Sequence, residues 1–440
     1  MEGGAAVKPS VARAVYALGA RVRNPSIWGE LKRLKASEFL GRQELLDLQL
    51  RRARSFLTFA GAHSPFLRAR FDAAGLEPAK LATLDELQRL PPISKSELVA
   101  HGAEVHTRYA FPRLITAETS GTSGDALEFK KNEEWDSAVR AHLMRAYDWY
   151  GVKVWERSGY MWGYDIAPGQ ARRIRVLDGL QNRFRIFSYE EEALVRFARK
   201  LSKARFLAGY SSMIYEVAKR IVDLGIPMDG IQMVKGTSEM ILDAYQPVSE
   251  RAFGKRIVSE YGAAEAGLIA FECPAGSMHI NVEDVIVETD ENGEILVTNL
   301  LSHSFPVVRY RLGDVVDLSD DACPCGRAHP ILRSVVGRRG GTLYGHCSEY
   351  PAFTFYYVFK NLALRHSILM NYRVVQSRRG QAMVMIEGGR DQEQERLVAS
   401  ELGKYFSEDV EFEMSWVPAF ERGQKKAQYF ESHIETRTLA

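Results

Sequence analysis

The chain has four cysteines in 440 residues, no apolar run of bilayer length, almost no charge imbalance, and no repeated or low-complexity segment. Each shortage excludes something. So few cysteines cannot make a disulfide scaffold, and Cys323 and Cys325 are spaced as metal ligands rather than bridge partners. Without about 20 consecutive apolar residues there is no membrane-spanning helix. The short apolar stretch at 11–18 is interrupted by Arg13 and followed by Arg21, which argues against a secretory leader. Lys plus Arg total 58 against 56 for Asp plus Glu, a net charge of +2, so a nucleic-acid face is not expected as the main activity. What is present is 46% hydrophobic and 26% charged residues, the make-up of a globular chain with a large core, and a length that points to two or three domains. The expectation is a soluble cytoplasmic protein acting on small molecules, with neither nucleic acid nor membrane as partner.

Local patterns refine this. Residues 42–60 place Leu46, Leu50, Ala53, Leu57 and Ala60 on one helical face. A turn follows at His63-Ser64-Pro65, and Ser94 and Glu97 have capping-box spacing. Residues 114–118 and 126–130 read as strands flanking a polar loop, and 133–150 as a helix. Strands and helices then alternate to about Gly267, the pattern of an α/β layered domain. Residues 279–300 alternate as a hairpin turning at Glu291-Asn292-Gly293. Further on come a hairpin across Arg378-Arg379-Gly380, a charged amphipathic helix at 391–406 and a strand at 410–414. The fold class expected is α/β: a large multi-layer N-terminal domain over 1–336 and a small mobile α+β domain over 337–440. Gly340 and Gly341 sit at the junction, where adjacent glycines permit large backbone rotation.

One loop stands out: Thr119, Ser120, Gly121, Thr122, Ser123 and Gly124. Glycines let the backbone approach a polyphosphate, and hydroxyls solvate its charge without bulk. No Gly-Lys-Ser/Thr follows and the next element is a strand, so this is not a Walker loop. Taken alone, it reads equally well as a Ser/Gly surface turn.

Its company changes that balance. The loop resembles the phosphate loop of the adenylate-forming superfamily, which holds acyl-CoA synthetases, peptide-synthetase adenylation domains and luciferases. Glu260, Tyr261, Gly262, Ala263, Ala264 and Glu265 resemble that superfamily's aromatic-Gly-x-x-Glu motif. Tyr310, Arg311, Gly313 and Asp314 resemble its Tyr-Arg-x-Gly-Asp motif, and Gly337-Arg338 its junction motif. Four motifs in the right order are far more specific than any one. His63-Ser64-Pro65-Phe66, the stretch at 90–95 and the Cys-x-Cys-Gly-Arg at 323–327 are similar to the phenylacetate–CoA ligase branch and its capsule-biosynthesis relatives.

The resemblance implies residue roles. ATP is to be bound by the phosphate loop, by Glu260, Tyr261, Gly262 and Ala263, by Asp314 at the ribose, by Arg338, and by Ser238 and Glu239 near the adenine. Glu265 is to hold magnesium, a hard ion that takes carboxylate oxygen. The catalytic lysine comes from the tail, where Lys426 matches one register and Lys425 the other. The implied reaction is ATP-dependent activation of an aryl or short acyl carboxylic acid as acyl-AMP, then transfer to CoA. The alternatives are transfer to an amine or hydroxyl, and a non-catalytic binding descendant of the fold. Two departures weaken the second step more than the first: Asp125-Ala126 stands where relatives carry Lys-Pro, and Gly340-Gly341 where they carry acidic residues. A homodimer is left open.

A separate signal lies in the cysteines. Cys273, His279, Cys323 and Cys325 can complete a closed Cys₃His tetrahedron for structural zinc, stapling the base of the long hairpin beside the Tyr310-Arg311 strand. Cys347 is left over as a buried thiol. Trp149, Trp155, Tyr160, Trp162, Tyr164 and Tyr210 lie in segments that line either the acid pocket or the core.

Overall fold

The computed structural model describes residues 8–119, 127–161, 168–186, 190–338, 341–352, 354–420 and 429–434. The helices α1 (Pro9–Arg23), α2 (Ile27–Ser37), α3 (Arg42–His63), α4 (Pro65–Ala73), α5 (Lys95–Ala100) and α6 (Gly102–Val105) come first. The start of α5 is set locally: Ser94 caps the Glu97 amide, and Glu97 Oε2 accepts from the Ser94 amide at 2.8 Å. On α3 the buried face runs through Leu45, Gln49, Ala53, Phe56, Leu57 and Ala60. Leu46, expected on that face, is instead 40% exposed. Periodicity misplaced it because Gln49 goes inside, its Nε2 donating to the Val285 carbonyl at 2.7 Å.

Strands β1 (Leu114–Glu118) and β2 (Glu128–Asn132) pair antiparallel, and α7 (Glu133–Trp149) follows. Next come β3 (Ser158–Met161), α8 (Pro168–Leu180), β4 (Arg183–Ile186), α9 (Glu191–Leu201), β5 (Phe206–Tyr210), α10 (Ser211–Leu224), β6 (Met233–Thr237), α11 (Tyr245–Phe253) and β7 (Ile257–Ala263). Strands β3 to β7 pair in parallel, and β5 is buried along its whole length, as a strand covered on both faces must be. The chain then turns antiparallel through β8 (Gly267–Glu272), β9 (Met278–Ile280), β10 (Val285–Thr289), β11 (Glu294–Asn299), β12 (Val307–Ser319) and β13 (Ile331–Arg338). Among the described residues these make one eleven-stranded sheet, in the order β10-β11-β12-β13-β9-β8-β7-β6-β5-β3-β4. Its change from parallel to antiparallel falls at β7–β8.

One apolar core lies between the parallel strands and α9, α10 and α11, and a second between α3, α4 and the antiparallel strands. Helix α7 covers the opposite face of the sheet with Tyr147 against Phe206, Met233, Val258 and Phe271. Buried charges tie the N-terminal helices down. Asp284 pairs with Arg33 at 2.6 Å, Arg52 at 2.5 Å and His142 at 2.7 Å. Glu283 pairs with Arg145 at 2.5 Å and His329 at 3.1 Å. Removing any one partner would strand a charge out of water.

The C-terminal part begins with the two-stranded β14 (Thr342–Tyr344) and β15 (Glu349–Pro351), then α12 (Thr354–His366). Strands β16 (Tyr372–Arg378), β17 (Gln381–Glu387), β18 (Glu411–Val417) and β19 (Phe430–Ser432) form a sheet in the order β18-β17-β16-β19, with α13 (Gln392–Phe406) between β17 and β18. Polar contacts that reach the large sheet's helices and loops include Lys219 to Glu387 at 2.6 Å, Tyr245 Oη to Asn371 Oδ1 at 3.4 Å, and Tyr429 Oη to the Met240 carbonyl at 3.0 Å.

Candidate active site and metal knuckle

The β7–β8 turn is tight enough to demand glycine. A Cβ on Gly262 would sit 2.4 Å from the Gly267 carbonyl oxygen, and Gly267 itself has φ of +80°. That turn carries Glu265, which is 4% exposed. Its Oε1 accepts from Tyr310 Oη at 2.9 Å, and Asn299 Nδ2 donates to its carbonyl at 3.1 Å. Asp314, further along the strand that bears Tyr310, accepts from Tyr261 Oη at 2.7 Å. Two sequence motifs about fifty residues apart are thus cross-linked by two tyrosine hydroxyls. Arg338, the last residue of β13, lies opposite Asp314 in the backbone register.

Around this centre the other expected residues fall as follows. Thr119 closes the mouth of its loop: its amide donates to the Leu127 carbonyl at 3.0 Å, and its Oγ1 accepts from the Leu127 amide at 3.0 Å. Ser120, Gly121, Thr122, Ser123 and Gly124 lie outside the described residues, as do Lys425 and Lys426. Ser238 follows β6 with φ of +65°, a conformation non-glycine residues adopt at a cost and mostly at functional turns. Glu239 accepts from the Ser212 amide at 2.9 Å, which fixes the start of α10. The Glu260 carboxylate is bonded to Lys235, and Thr237 Oγ1 donates to it at 3.0 Å. Tyr429, three positions past Lys426, is anchored beside this segment through the Met240 carbonyl.

Lys235 is the residue that motif reading passed over. Burial alone would push its ammonium down, but the Glu260 carboxylate outweighs that and holds it above its ordinary value. Its signal was present in the sequence, since a lone lysine interrupts the apolar β6 run.

At the far ends of β8 and β12, Cys273, His279, Cys323 and Cys325 bring their ligand atoms within 4.8 Å of one another. Cys273 and Cys323 sulfurs are 3.7 Å apart, close to the roughly 3.8 Å that two thiolates span on a tetrahedral zinc. His279 Nδ1 faces the His329 carbonyl at 3.1 Å, so Nε2, 3.1 Å from Cys325 Sγ, is left to ligate. Burial holds His279 down to about 4, the neutral form a metal requires. Three sulfurs and one imidazole in this arrangement fit zinc and leave no open position.

Several expectations need correction. The knuckle lies past Ser319, at the opposite end of β12 from Tyr310, because the β12–β13 loop carries Cys323 and Cys325 away from the turn. Cys347 is exposed rather than buried. Trp149 belongs to the knuckle side, under the Arg327 guanidinium at 4.2 Å, and Trp155 packs on Tyr16 at 5.9 Å. Tyr160 lies on β3 in the cross-sheet row of Lys235, while Trp162 and Tyr164 are outside the described residues.

No protein-family model matches the chain. Protein CapK of Staphylococcus aureus is 25% identical over 327 residues, 71% of each chain. The phenylacetate-coenzyme A ligase of Thermus thermophilus is 25% identical over 333 residues, 68% of this chain and 72% of that one. Among solved structures, a 2-hydroxyisobutyryl-CoA ligase in the postadenylation state superposes with a TM-score of 0.71 over 91% of each chain, at 17% identity. Among the described residues no helix is long and apolar enough to cross a membrane.

Proposed function

We propose that this chain is an adenylate-forming enzyme of the phenylacetate–CoA ligase branch, which activates a carboxylic acid with ATP and passes the acyl group to CoA, a reading supported by its similarity to CapK and to a phenylacetate-coenzyme A ligase. The acid is an aryl or short acyl one, and the work is done in the cytoplasm. The observation that carries the proposal is the pair of tyrosine clamps, Tyr261 to Asp314 and Tyr310 to Glu265, at the point where the sheet changes direction. Ligands of open α/β sheets bind outside the carboxyl ends of the parallel strands, and this turn follows the carboxyl end of β7.

Each residue then has a task. Asp314, oriented by Tyr261, grips the ribose hydroxyls. Tyr261 and Gly262 offer a ring and a bare backbone to the adenine, with Ala263, Ser238 and Glu239 at its edge. The loop at 119–124 supplies hydroxyl and amide donors to the phosphates as charge builds on them. A buried carboxylate steadied by a tyrosine is apt for magnesium, so Glu265 would hold it. That ion would neutralise the leaving pyrophosphate. Lys426, or Lys425 in the other register, bridges the acid carboxylate and the α-phosphate. Arg338 stands at the junction where the lid over 337–440 pivots away from the 1–336 domain for the second half-reaction. Zinc at Cys273, His279, Cys323 and Cys325 is structural.

The test is ATP–pyrophosphate exchange across a panel of aryl and short acyl acids, followed by trapping with CoA. Acid-dependent exchange is the expected result. No exchange with any acid, in folded protein that binds ATP, would sink the proposal.

A further inference from the structure

Strands β6 and β7 also hold, midway along their lengths, an ion pair to which the roles above give no task. Lys235 is 5% exposed, and its ammonium is bonded to Glu260 on the neighbouring strand. Thr237 Oγ1 donates to the same carboxylate at 3.0 Å. The Tyr147 ring of α7 lies 5.8 Å from the ammonium. In the sheet register Lys235 pairs with Ala208, and Ala208 with Tyr160. A methyl group therefore separates a tyrosine from a lysine along one row of the sheet.

Nothing in the fold calls for a charge here. Met233 and Val234, in the same strand, are buried and apolar, and an apolar pair of similar volume is often as stable as a buried ion pair or more so. Alternation along β7 puts Glu260 on the opposite face from its neighbour Tyr261. An acid whose carboxylate meets the α-phosphate beside the β7–β8 turn has its tail to place on a face other than the one the adenine takes. The α7 face carries Thr237, Glu260 and Lys235. Of the pair, Glu260 is the outward member, its side chain 16% exposed against 6% for Lys235. A carboxylate has about four lone-pair sites, so the bonds from Lys235 and Thr237 leave it capacity to accept another.

We propose that Lys235 and Glu260 form a polar recognition floor for the acid, so that the preferred substrate is a carboxylic acid whose tail carries a hydrogen-bond donor, a hydroxyl or an amino group. Glu260 receives that donor, and Lys235 with Thr237 holds Glu260 in place. This rests on the acid-activating reading and narrows its substrate class. A site built to hydrogen-bond a substrate group rejects the analogue lacking it far more strongly than an apolar slot rejects a missing methylene.

The experiment is ATP–pyrophosphate exchange with matched acids: 4-hydroxyphenylacetate against phenylacetate, 4-aminobenzoate against benzoate, 3-hydroxybutyrate against butyrate. The wild type is expected to favour the donor-bearing member by about tenfold or more in kcat/KM in at least one pair, and the hydroxyl and amino arms tell which donor is read. Glu260→Gln should shrink that ratio, and the double variant Lys235→Met with Glu260→Leu should erase or invert it. Equal or reversed preference in every pair that turns over would overturn the proposal while acid activation stood. An unchanged ratio in both variants would do the same. If the double variant does not fold, the wild-type ratio and Glu260→Gln decide. No exchange with any acid defeats the acid-activating reading, and this proposal with it.

Discussion

Strands β8 and β12 link two clusters built on opposite principles. At the first, Glu265, in the turn before β8, and Asp314, midway along β12, are hard oxygen donors, each accepting a bond from a tyrosine hydroxyl of another strand. At the other, three sulfurs and one imidazole are drawn within 4.8 Å of one another. On the function proposed above, the first set would receive ligands that come and go. The second closes on itself and fits one ion permanently. The difference lies in what each donor's partner is: a tyrosine fixes a carboxylate's direction without neutralising it, whereas a metal consumes every ligand it orients.

If that contrast is right, damage at one cluster should leave the other intact. The largest effect is expected at the open cluster. Lys426→Ala should lower acyl-AMP formation by roughly 10²-fold or more with ATP affinity little changed, since its charge matters as the leaving group departs. Lys425→Ala should be nearly silent, and reversed phenotypes would move the register by one.

At the closed cluster, purified protein should contain about one zinc per chain. Chelation or Cys323→Ser should lower the melting temperature by several degrees while leaving ATP affinity within about twofold. Equal losses of both would mean the clusters are coupled and the contrast fails. Smaller again, Asp314→Asn should weaken ATP binding by roughly tenfold by calorimetry, and Tyr261→Phe by less, since it removes an orienting bond and no charge. An unchanged affinity in Asp314→Asn would remove that residue from the site.

The mildest test is pH. Burial lowers His142 and His303, so the unfolded chain takes up their protons first and stability should fall gently as pH drops below about 6.5. Burial would raise Asp284, but Arg52 and Arg33 outweigh it and hold its carboxyl well below the usual range. Its contribution is therefore complete above about pH 4 and lost as acid goes lower, which should steepen the decline there. Thermal melts that stay flat from pH 7 to 3 would contradict both assignments.

Much of this was legible in the sequence, for identifiable reasons. The Ser94 capping box and the Asn292-Gly293 turn are decided by neighbours a few residues apart, so local chemistry is enough to place them. The Cys₃His set could be assembled on paper because soft ligands are rare and few combinations exist. Leu46 and Gln49 exchanged places because a distant carbonyl, Val285, satisfies the glutamine. The tyrosine clamps were hidden for the same reason: which hydroxyl meets which carboxylate depends on the register between β7 and β12, strands that are not sheet neighbours. Lys235 was passed over because its partner, Glu260, was read as part of a nucleotide motif rather than as a side chain on the other face of its strand.

The spacing of the knuckle also bears on how the chain is made. Cys273 and Cys323 stand 50 positions apart, and the intervening segment contains β9 to β12. Joining ends so distant carries an entropic cost that grows slowly with length. With zinc as its occupant, the knuckle can shut only after β12 and the loop beyond it have left the ribosome. Its closure would then staple the end of β8 to the loop after β12 while the segment that carries Lys425 and Lys426 is still being translated.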